Sequence, residues 1–360
     1  MRRTTIVFIV IVGIAAAIAL FAYFGPGKVT AVTGLIGSEK APFFADVRVQ
    51  KALARHGLQV TVQKAGSREI AARSDLKSFD FAFPAGVPAA EKIQRELGIS
   101  KVHNPFFTPM VVASWRPIAD LLVQRGIAAN QGNYYTLDMA KFLPLLQNQT
   151  RWKDIPGNTA FQANKSVLIG STDVRTSNSA AMYLALMSYV ANGNNIVQSL
   201  VQAAPLMPLL SDMFLRQGLR PTSTQEPFED YLVKGMGHSP IVIIYEAQYI
   251  AQAAKEDGSI SPDMVLMYPT PTIFTKHILI PFTDGGEKLA VALETDPELQ
   301  KLAVEYGFRN SNLTYFREFT AQHKVVLPDN FVDVIEPPSY EVLEGMIQQI
   351  EKLYAQDGGG

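Results

Sequence analysis

A strand followed by a polar loop and a helix recurs at least three times in this chain, and this unit constrains the fold most. A helix that begins after such a loop directs free backbone N–H groups and the positive end of its dipole beyond the sheet edge. Several such loops facing one another would form a binding cleft. The strands are Lys28–Ile36, Leu58–Val62 and Ser166–Ile169, and their loops are Gly37–Lys40, Gly66–Arg68 and Gly170–Ser179.

Strand-like and helix-like patterns alternate from Lys28 onward, which is typical of an α/β protein with largely parallel sheets. The apolar run Pro240–Tyr245 predicts a central parallel strand. Two further extended segments, Phe106–Trp115 and Met267–Ile280, flank one continuous block of sequence. A block inserted between two long strands predicts two lobes that share two hinge strands, and 360 residues exceed one typical core.

We therefore predict a two-lobed α/β fold, in which each lobe is a mostly parallel sheet flanked by helices. The predicted segments are an N-terminal membrane segment (1–27), lobe 1 (28–111 and 272–357) and lobe 2 (112–271).

The N-terminus predicts export. Two arginines precede Ile6–Phe24, an uncharged apolar run close to the roughly 20 residues that span a bilayer. Positive charge before the run places the N-terminus in the cytoplasm. The alternative is a cleaved signal peptide, with Ala17-Ile18-Ala19 as the cleavage site. We favour a retained transmembrane anchor because the apolar run continues beyond that site. Either way, residues 28–360 lie outside a bacterial inner membrane.

Composition excludes several kinds of function. The chain has no cysteine, which rules out disulfides, thiolate metal ligands and cysteine nucleophiles. The net charge is −1, and no dense cluster of Lys and Arg with interleaved aromatics occurs, so nucleic-acid binding is not predicted. The five histidines are isolated, and the phosphate-loop, dinucleotide and nucleophile-elbow motifs are lacking. We predict no catalytic residue, no metal site and no cofactor.

Five segments carry a resemblance to a known family through their order along the chain. They are Gly37–Lys40, Val167–Thr172, Pro240–Glu246, Tyr268–Thr272 and Leu302–Arg309. The most specific feature is the Tyr-Pro-x-Pro-Thr strand, followed by a helix that ends in Gly-Phe-Arg. In this order the segments resemble the class II periplasmic, or extracellular, solute-binding proteins of ABC importers.

The resemblance implies two lobes that close on a ligand by hinge motion. It implies ligand groups at the carboxyl ends of strands, which the physics of doubly wound sheets independently favours. It also implies a membrane partner, either an ABC-transporter permease or another envelope membrane protein.

Candidate ligand-binding residues lie in the first two polar loops. Ser38 and Lys40 would contact an anion through a helix N-terminus and a positive charge. Ser67 offers a hydroxyl, and Arg68 can grip a carboxylate or phosphate through two hydrogen bonds. The alternative for each is a helix cap or a solvated side chain.

The third loop is the richest in polar side chains, and one of them is expected to cap the apolar helix that follows. Its candidate residues are Ser171, Thr172, Arg175, Thr176, Ser177 and Asn178. Two tyrosines complete the set: Tyr245 ends the apolar run Pro240–Tyr245, and Tyr268 lies on the return strand.

Together these features predict a non-enzymatic solute-binding protein that captures a small polar ligand, and they favour an anion over a neutral or positively charged ligand. Lys40, Arg68 or Arg175 would supply the positive charge, and closure would deliver the ligand or a signal to the membrane partner. An oxyanion, an amino acid and a sugar phosphate all remain open as ligands. A second hypothesis is a membrane-anchored structural or regulatory subunit of an envelope complex, and a third is a hydrolase or transferase on an α/β scaffold.

Overall fold

A computed structural model describes residues 29–218, 221–328, 331 and 333–357. The predicted anchor Ile6–Phe24 lies outside the described residues. The strands are β1 (Thr30–Ile36), β2 (Leu58–Lys64), β3 (Phe81–Phe83), β4 (His103–Trp115), β5 (Ala128–Asn130), β6 (Tyr135–Asp138), β7 (Ile241–Tyr245), β8 (Met264–Thr270), β9 (Thr272–Pro281) and β10 (Val334–Ile335).

Helices flank the strands throughout the described chain. The α-helices are Ala41–Ala45, Val47–Arg55, Ser67–Ala72, Val87–Leu97, Arg116–Gln124, Met139–Gln147, Asn178–Ala191, Leu200–Ala203, Met207–Leu215, Gln225–Lys234, Glu246–Ala253, Asp284–Thr295, Pro297–Glu305, Leu313–Gln322 and Tyr340–Asp357. Within the described ranges, none of the helices is both long and apolar enough to cross a membrane.

The strands form one continuous sheet in the order β2-β1-β3-β9-β4-β8-β6-β5, with β10 added to β9 and β7 added to β4. The long strand β4 joins the two ends of this sheet. Its residues 103–109 pair antiparallel with β9, and its residues 110–115 pair antiparallel with β7 and β8. We call β1–β3 with their helices the β1 side, and β5–β8 with their helices the β7 side.

The sheet is mixed, which corrects the prediction of mostly parallel sheets. β1 is parallel to β2 and β3, and β6 is parallel to β8. The pairs that involve β4, and the pair of β3 with β9, are antiparallel. The predicted parallel strand Pro240–Tyr245 is β7, which runs antiparallel to β4, whereas its single bridge with Gly170 is parallel. An apolar run indicates burial on both faces of a sheet but does not encode the direction of its neighbour.

The predicted strand Ser166–Ile169 is also corrected, because only the residues at its margins pair. Ser166 bridges Arg151, and Gly170 bridges Val242 of β7. The helix Asn178–Ala191 that follows is apolar on all sides and buried, and it packs against β4, β7 and β9. A helix that is apolar all round belongs in an interior. This helix therefore brings its N-terminal loop to the region where the β1 side meets the β7 side.

One apolar core extends from the β1 side to the β7 side. It includes Phe81 of β3, Phe106 of β4 and Met267 of β8, each buried completely. The helix Tyr340–Asp357 packs against Val87–Leu97 of the β1 side and also against Met207–Leu215 of the β7 side. The two sides are therefore joined both through the sheet and through this last helix.

Candidate ligand-binding cleft

A cavity of about 1160 Å³ lies between the β1 side and the β7 side. The β1 side contributes Ser38, Glu39 and Gly66, and the β7 side contributes Thr176, Tyr245 and the segment Thr222–Gln225. Aromatic residues that follow the helix Pro297–Glu305 form part of the remaining wall. Of the twelve residues predicted to bind ligand, the cavity wall includes Ser38, Thr176 and Tyr245.

The two sides approach each other closely at the cavity. The hydroxyl oxygens of Ser38 and Ser223 lie 3.1 Å apart. The backbone of Gly66 lies against Thr176, whose carbonyl oxygen is 2.5 Å from the position that a Cβ on Gly66 would occupy. Glycine is needed at this position because any side chain would push the two loops apart.

A buried cluster of charged groups lies beside the cavity wall. Lys40 is completely buried, and its ammonium group contacts the Glu39 carboxylate and lies 2.9 Å from His277 Nδ1. The same ammonium group lies 4.9 Å from the ring centroid of Phe83. The carboxylate next to Lys40 in sequence thus already neutralises it, and the contribution of Lys40 to ligand binding stays a prediction.

Burial and pairing set the protonation states in this cluster. Burial by itself would raise the pKa of Glu39, but Lys40 and His277 together lower that pKa well below its ordinary value. Burial, followed by the positive charge of Lys40, lowers the pKa of His277 to about 4. His277 is therefore neutral near pH 7, with Nδ1 facing the ammonium group. Its Nε2 has no hydrogen-bond partner among the described residues.

Tyr245 connects this cluster with the third polar loop. Its hydroxyl accepts a hydrogen bond of 3.1 Å from Asn178 Nδ2, and its ring centroid lies 6.2 Å from that of His277. Burial raises the pKa of Tyr245, so its phenol stays protonated. The side-chain oxygen of Asn178 lies against Gly86, where a Cβ would be only 2.3 Å away. Asn178 thus holds the β7 side against the β1 side from a position outside the cavity wall.

The two predicted arginines have carboxylate partners outside the cavity wall, and their supply of charge to a ligand stays a prediction. Arg68 donates to Glu344 (Nε to Oε2 2.7 Å) and to the backbone carbonyl of Arg175. Arg175 donates to Asp173 at 2.9 Å from Nε and lies 4.7 Å from the ring centroid of Tyr354. The partners Glu344 and Tyr354 are far away in sequence, so no local pattern could indicate them.

The remaining predicted hydroxyls shape the loops. Ser67 Oγ accepts from the backbone N–H of Ala85 at 2.9 Å. Thr172 and Ser177 both hydrogen-bond to Ser179 Oγ, at 2.8 and 3.0 Å. Ser171 is buried, and its backbone N–H donates to Gln217 at 2.9 Å. These groups lie outside the cavity wall, and their contact with a ligand stays a prediction.

Tyr268 belongs to a second buried polar cluster. Its hydroxyl donates to Glu246 at 2.6 Å, and Arg309 donates to both oxygens of the same carboxylate at 2.7 and 2.9 Å. Glu246 is completely buried, and the bidentate hydrogen bonds from Arg309 offset the free-energy cost of desolvating its carboxylate. The cluster ties the β7 side to the segment after the helix Pro297–Glu305, and it lies outside the cavity wall.

Several wall residues were not predicted from the sequence. Glu39 lies in the predicted loop Gly37–Lys40 but is not among the twelve predicted residues. Thr222–Gln225 follow no strand or motif that would single them out, and Gln248 lies in the first turn of the helix after β7, where no motif marks it. In the described ranges, no group of three or more His, Asp or Glu side chains is placed to hold a metal ion.

Comparison with known proteins supports the fold only. No protein-family model and no curated protein sequence matches the chain. The chain is similar to a periplasmic thiamin binding protein (11% identity, TM-score 0.58, 92% of this chain and 98% of that chain). It is also similar to iron-bound HitA from Pseudomonas aeruginosa (13% identity, TM-score 0.56, 92% and 100%). A third similar structure is the sulfate-binding protein SubI from Mycobacterium tuberculosis H37Rv (15% identity, TM-score 0.53, 89% and 98%).

These structures are solute-binding proteins, and the chain shares their mixed α/β fold of a central sheet with flanking helices. The resemblance to class II solute-binding proteins of ABC importers that the sequence predicted is therefore confirmed at the level of the fold. The three proteins named above bind chemically different ligands, so the fold by itself does not select one.

Proposed function

We propose that this protein captures a small polar ligand between the β1 side and the β7 side, and that it works without catalysing a reaction. The observation that carries this proposal is the cavity of about 1160 Å³, whose wall comes from both sides of the sheet. A wall made of two bodies can close around a ligand by hinge motion, with β4 and β9 as the flexible connection. The predicted lobes, 28–111 with 272–357 and 112–271, would be these two bodies.

We further propose that the described part lies outside the bacterial inner membrane, held there by the predicted anchor Ile6–Phe24. In this arrangement, closure would deliver the ligand or a signal to a membrane partner such as an ABC-transporter permease. The fold shared with periplasmic binding proteins supports this location. Protease added to spheroplasts should then degrade the chain, whereas a cytoplasmic marker protein should survive.

A cross-link across the cleft tests the proposal directly. The chain has no cysteine, and the Ser38 and Ser223 hydroxyls lie 3.1 Å apart, so the double variant Ser38→Cys, Ser223→Cys can form a disulfide there. A metabolite panel is screened by thermal shift against the reduced and oxidised forms, because a ligand that binds the folded state raises the melting temperature.

We expect at least one compound to stabilise the reduced form, and we expect the disulfide formed without ligand to abolish that effect. Each single-cysteine variant is the control and should respond like the unmodified protein. If no compound stabilises the reduced form, or if the oxidised form binds equally well, the proposal fails.

A second candidate is a structural or regulatory subunit of an envelope complex that uses the fold without a ligand. The buried contact of Arg309 with Glu246 favours it, because such a contact holds the two sides together without any bound molecule. In that case the oxidised double-cysteine variant should retain full function in cells, whereas deletion of Ile6–Phe24 should abolish it.

A further inference from the structure

The size of the cavity indicates an organic ligand larger than a single ion. The cavity holds about 1160 Å³, whereas one water molecule occupies roughly 30 Å³ of liquid. Pockets for whole organic ligands measure about 300 to 1,000 Å³. A lone oxyanion would touch only a small part of such a wall.

Several charges on the wall already have partners of opposite charge. Arg48 donates to Glu305 at 2.6 Å and to Asp46, and Glu39 contacts Lys40. Of the wall cations in the described part of the chain, the other two are Lys64 and Lys255, and both are exposed to solvent. A charged ligand would thus lose water without gaining a desolvated counter-charge, which costs free energy.

Hydroxyl and amide groups are what the β7 side presents instead. Thr222–Gln225 lies opposite Ser38, and Gln248 accepts from the backbone N–H of Tyr245 at 3.1 Å. Hydroxyls and primary amides both donate and accept hydrogen bonds, so they can satisfy ligand hydroxyls in either direction. Thr224 is only 4% exposed, whereas Thr222 and Gln225 on either side of this buried part of the segment are exposed.

Two half-buried tyrosines lie on the same wall, and the ammonium group of Lys301 lies 5.3 Å from the ring centroid of one of them, Tyr315. Tyr306 donates from its hydroxyl to Asp46 at 3.0 Å, which fixes the orientation of its ring. Tyr315 packs beside Phe319 with ring centroids 6.2 Å apart. Aromatic side chains offer large apolar surfaces at a low cost in conformational entropy, and they pack well against C–H-rich faces of a ligand.

We propose that the ligand is a neutral, hydroxyl-rich organic molecule of the carbohydrate class, bound by the Thr222–Gln225 segment and the tyrosine faces. This inference rests on the proposed function and narrows it. It also departs from the expectation of an anion, since the three cations that were predicted to hold one are paired with carboxylates or stacked on a ring.

The test is a binding screen of the full-length chain in a polyoxyethylene detergent that carries no sugar headgroup. The neutral probes are glucose, galactose, maltose, cellobiose, trehalose and myo-inositol. The charged probes are sulfate, phosphate, citrate, glucose 6-phosphate, putrescine and glycine. Thermal shift identifies a binder, and titration calorimetry then measures its affinity at low and high salt.

We expect a neutral saccharide to bind, with an affinity that changes less than about twofold when salt shortens the Debye length from roughly 30 to 3 Å. Tyr315→Leu should weaken binding about tenfold, since it removes a ring worth roughly 1 to 2 kcal/mol of packing. Tyr315→Phe keeps the ring and should bind like the unmodified protein. The matched control Tyr189→Leu changes a half-buried tyrosine outside the cavity wall and should leave affinity unchanged.

Binding of only charged probes would overturn this inference and leave the proposed function standing. A neutral saccharide that binds Tyr315→Leu as tightly as the unmodified protein would overturn it as well. If no probe of either kind binds, both the inference and the proposed function fail.

Discussion

Among the contacts between the β1 side and the β7 side, two regions differ strongly in their chemistry. At the cavity wall, the contact includes one hydroxyl pair, Ser38 with Ser223, and the backbone approach of Gly66 to Thr176. We call this the cleft contact. A few polar groups of this kind can exchange their partners for water at low cost.

The second region is made by the helix Tyr340–Asp357, and we call it the rear contact. Its first turns are held by ion pairs to the β1 side, from Arg95 and Arg68 to Glu341 and Glu344. Near its end, Tyr354 donates to the backbone carbonyl of Phe214 on the β7 side at 3.0 Å. The apolar residues between these anchors are buried: Val342, Leu343, Met346, Ile347 and Ile350.

The difference between the two contacts indicates which one can open. Opening the rear contact would expose the whole apolar face of the helix to water. This exposure costs roughly 25 cal/mol of free energy per Å² of apolar surface. The cleft contact involves no comparable surface. We therefore predict that the molecule opens at the cleft rather than at the rear, and four measurements test this difference.

The largest effect is expected from Ile350→Ala in the rear contact. Ile350 is completely buried, and its truncation should lower the free energy of unfolding by about 2 to 5 kcal/mol. Leu353→Ala, three residues later and 37% exposed, is the matched control and should cost less than about 0.5 kcal/mol. Urea denaturation measures both, and equal effects would contradict a buried rear contact.

The second effect concerns pH and the cluster beside the cleft. His277 has a folded pKa of about 4 against an ordinary value of 6.5, so the unfolded chain binds a proton that the folded chain excludes. The free energy of unfolding should therefore fall as pH drops from 6.5 to about 4, by about 3 kcal/mol for this group.

His277→Phe should remove most of the pH dependence in this window. His238, whose side chain is 48% exposed, serves as the control through His238→Phe, which should retain it. Unfolding curves at a series of pH values test both variants. An unchanged slope in His277→Phe would mean that the buried cluster does not govern acid sensitivity.

The third effect is expected from a substitution that introduces a steric clash at the cleft contact. In Gly66→Ala, the new Cβ would meet the Thr176 carbonyl oxygen at 2.5 Å, so the two loops must separate, at a cost of about 1 to 3 kcal/mol. Gly237→Ala is the control, because nothing lies within 4 Å of its Cβ position. Thermal unfolding together with small-angle scattering should detect a less stable and wider molecule only for Gly66→Ala.

The smallest effect is expected from Arg68→Ala, which removes an ion pair of the rear contact. The side chains of Arg68 and Glu344 are 23% and 14% exposed, so solvent screens the pair in part, and we expect a loss of about 1 to 2 kcal/mol. Arg55→Ala breaks a pair that is 53% and 51% exposed and should cost less than about 0.5 kcal/mol. Equal losses in the two variants would argue against a special role for Arg68.

Prediction from the sequence succeeded where a local pattern carries the information. The apolar segments Phe106–Trp115 and Met267–Ile280 are the long strands β4, β8 and β9, and their extended character follows from their composition. The polar loops after β1 and β2 also lie at the cavity, because the carboxyl ends of parallel neighbours share one edge of a sheet.

Prediction failed where partners are distant along the chain. Arg68, for example, lies 276 residues from its partner Glu344. A sequence pattern shows that such a side chain carries charge, but it cannot show whether another part of the chain neutralises that charge. The direction of β7 was missed for the same reason, since burial on both faces does not depend on the direction of the neighbouring strand.

By itself, the sequence determined the α/β alternation, the long strands that cross the molecule and the polar character of the loops at their ends. These properties follow from hydrophobic periodicity and turn chemistry, which act over a few residues. Only the tertiary structure decided which polar groups line the cleft and which form buried ion pairs or hydrogen bonds with other protein groups. That outcome depends on desolvation and charge pairing between segments that come together only when the chain has folded.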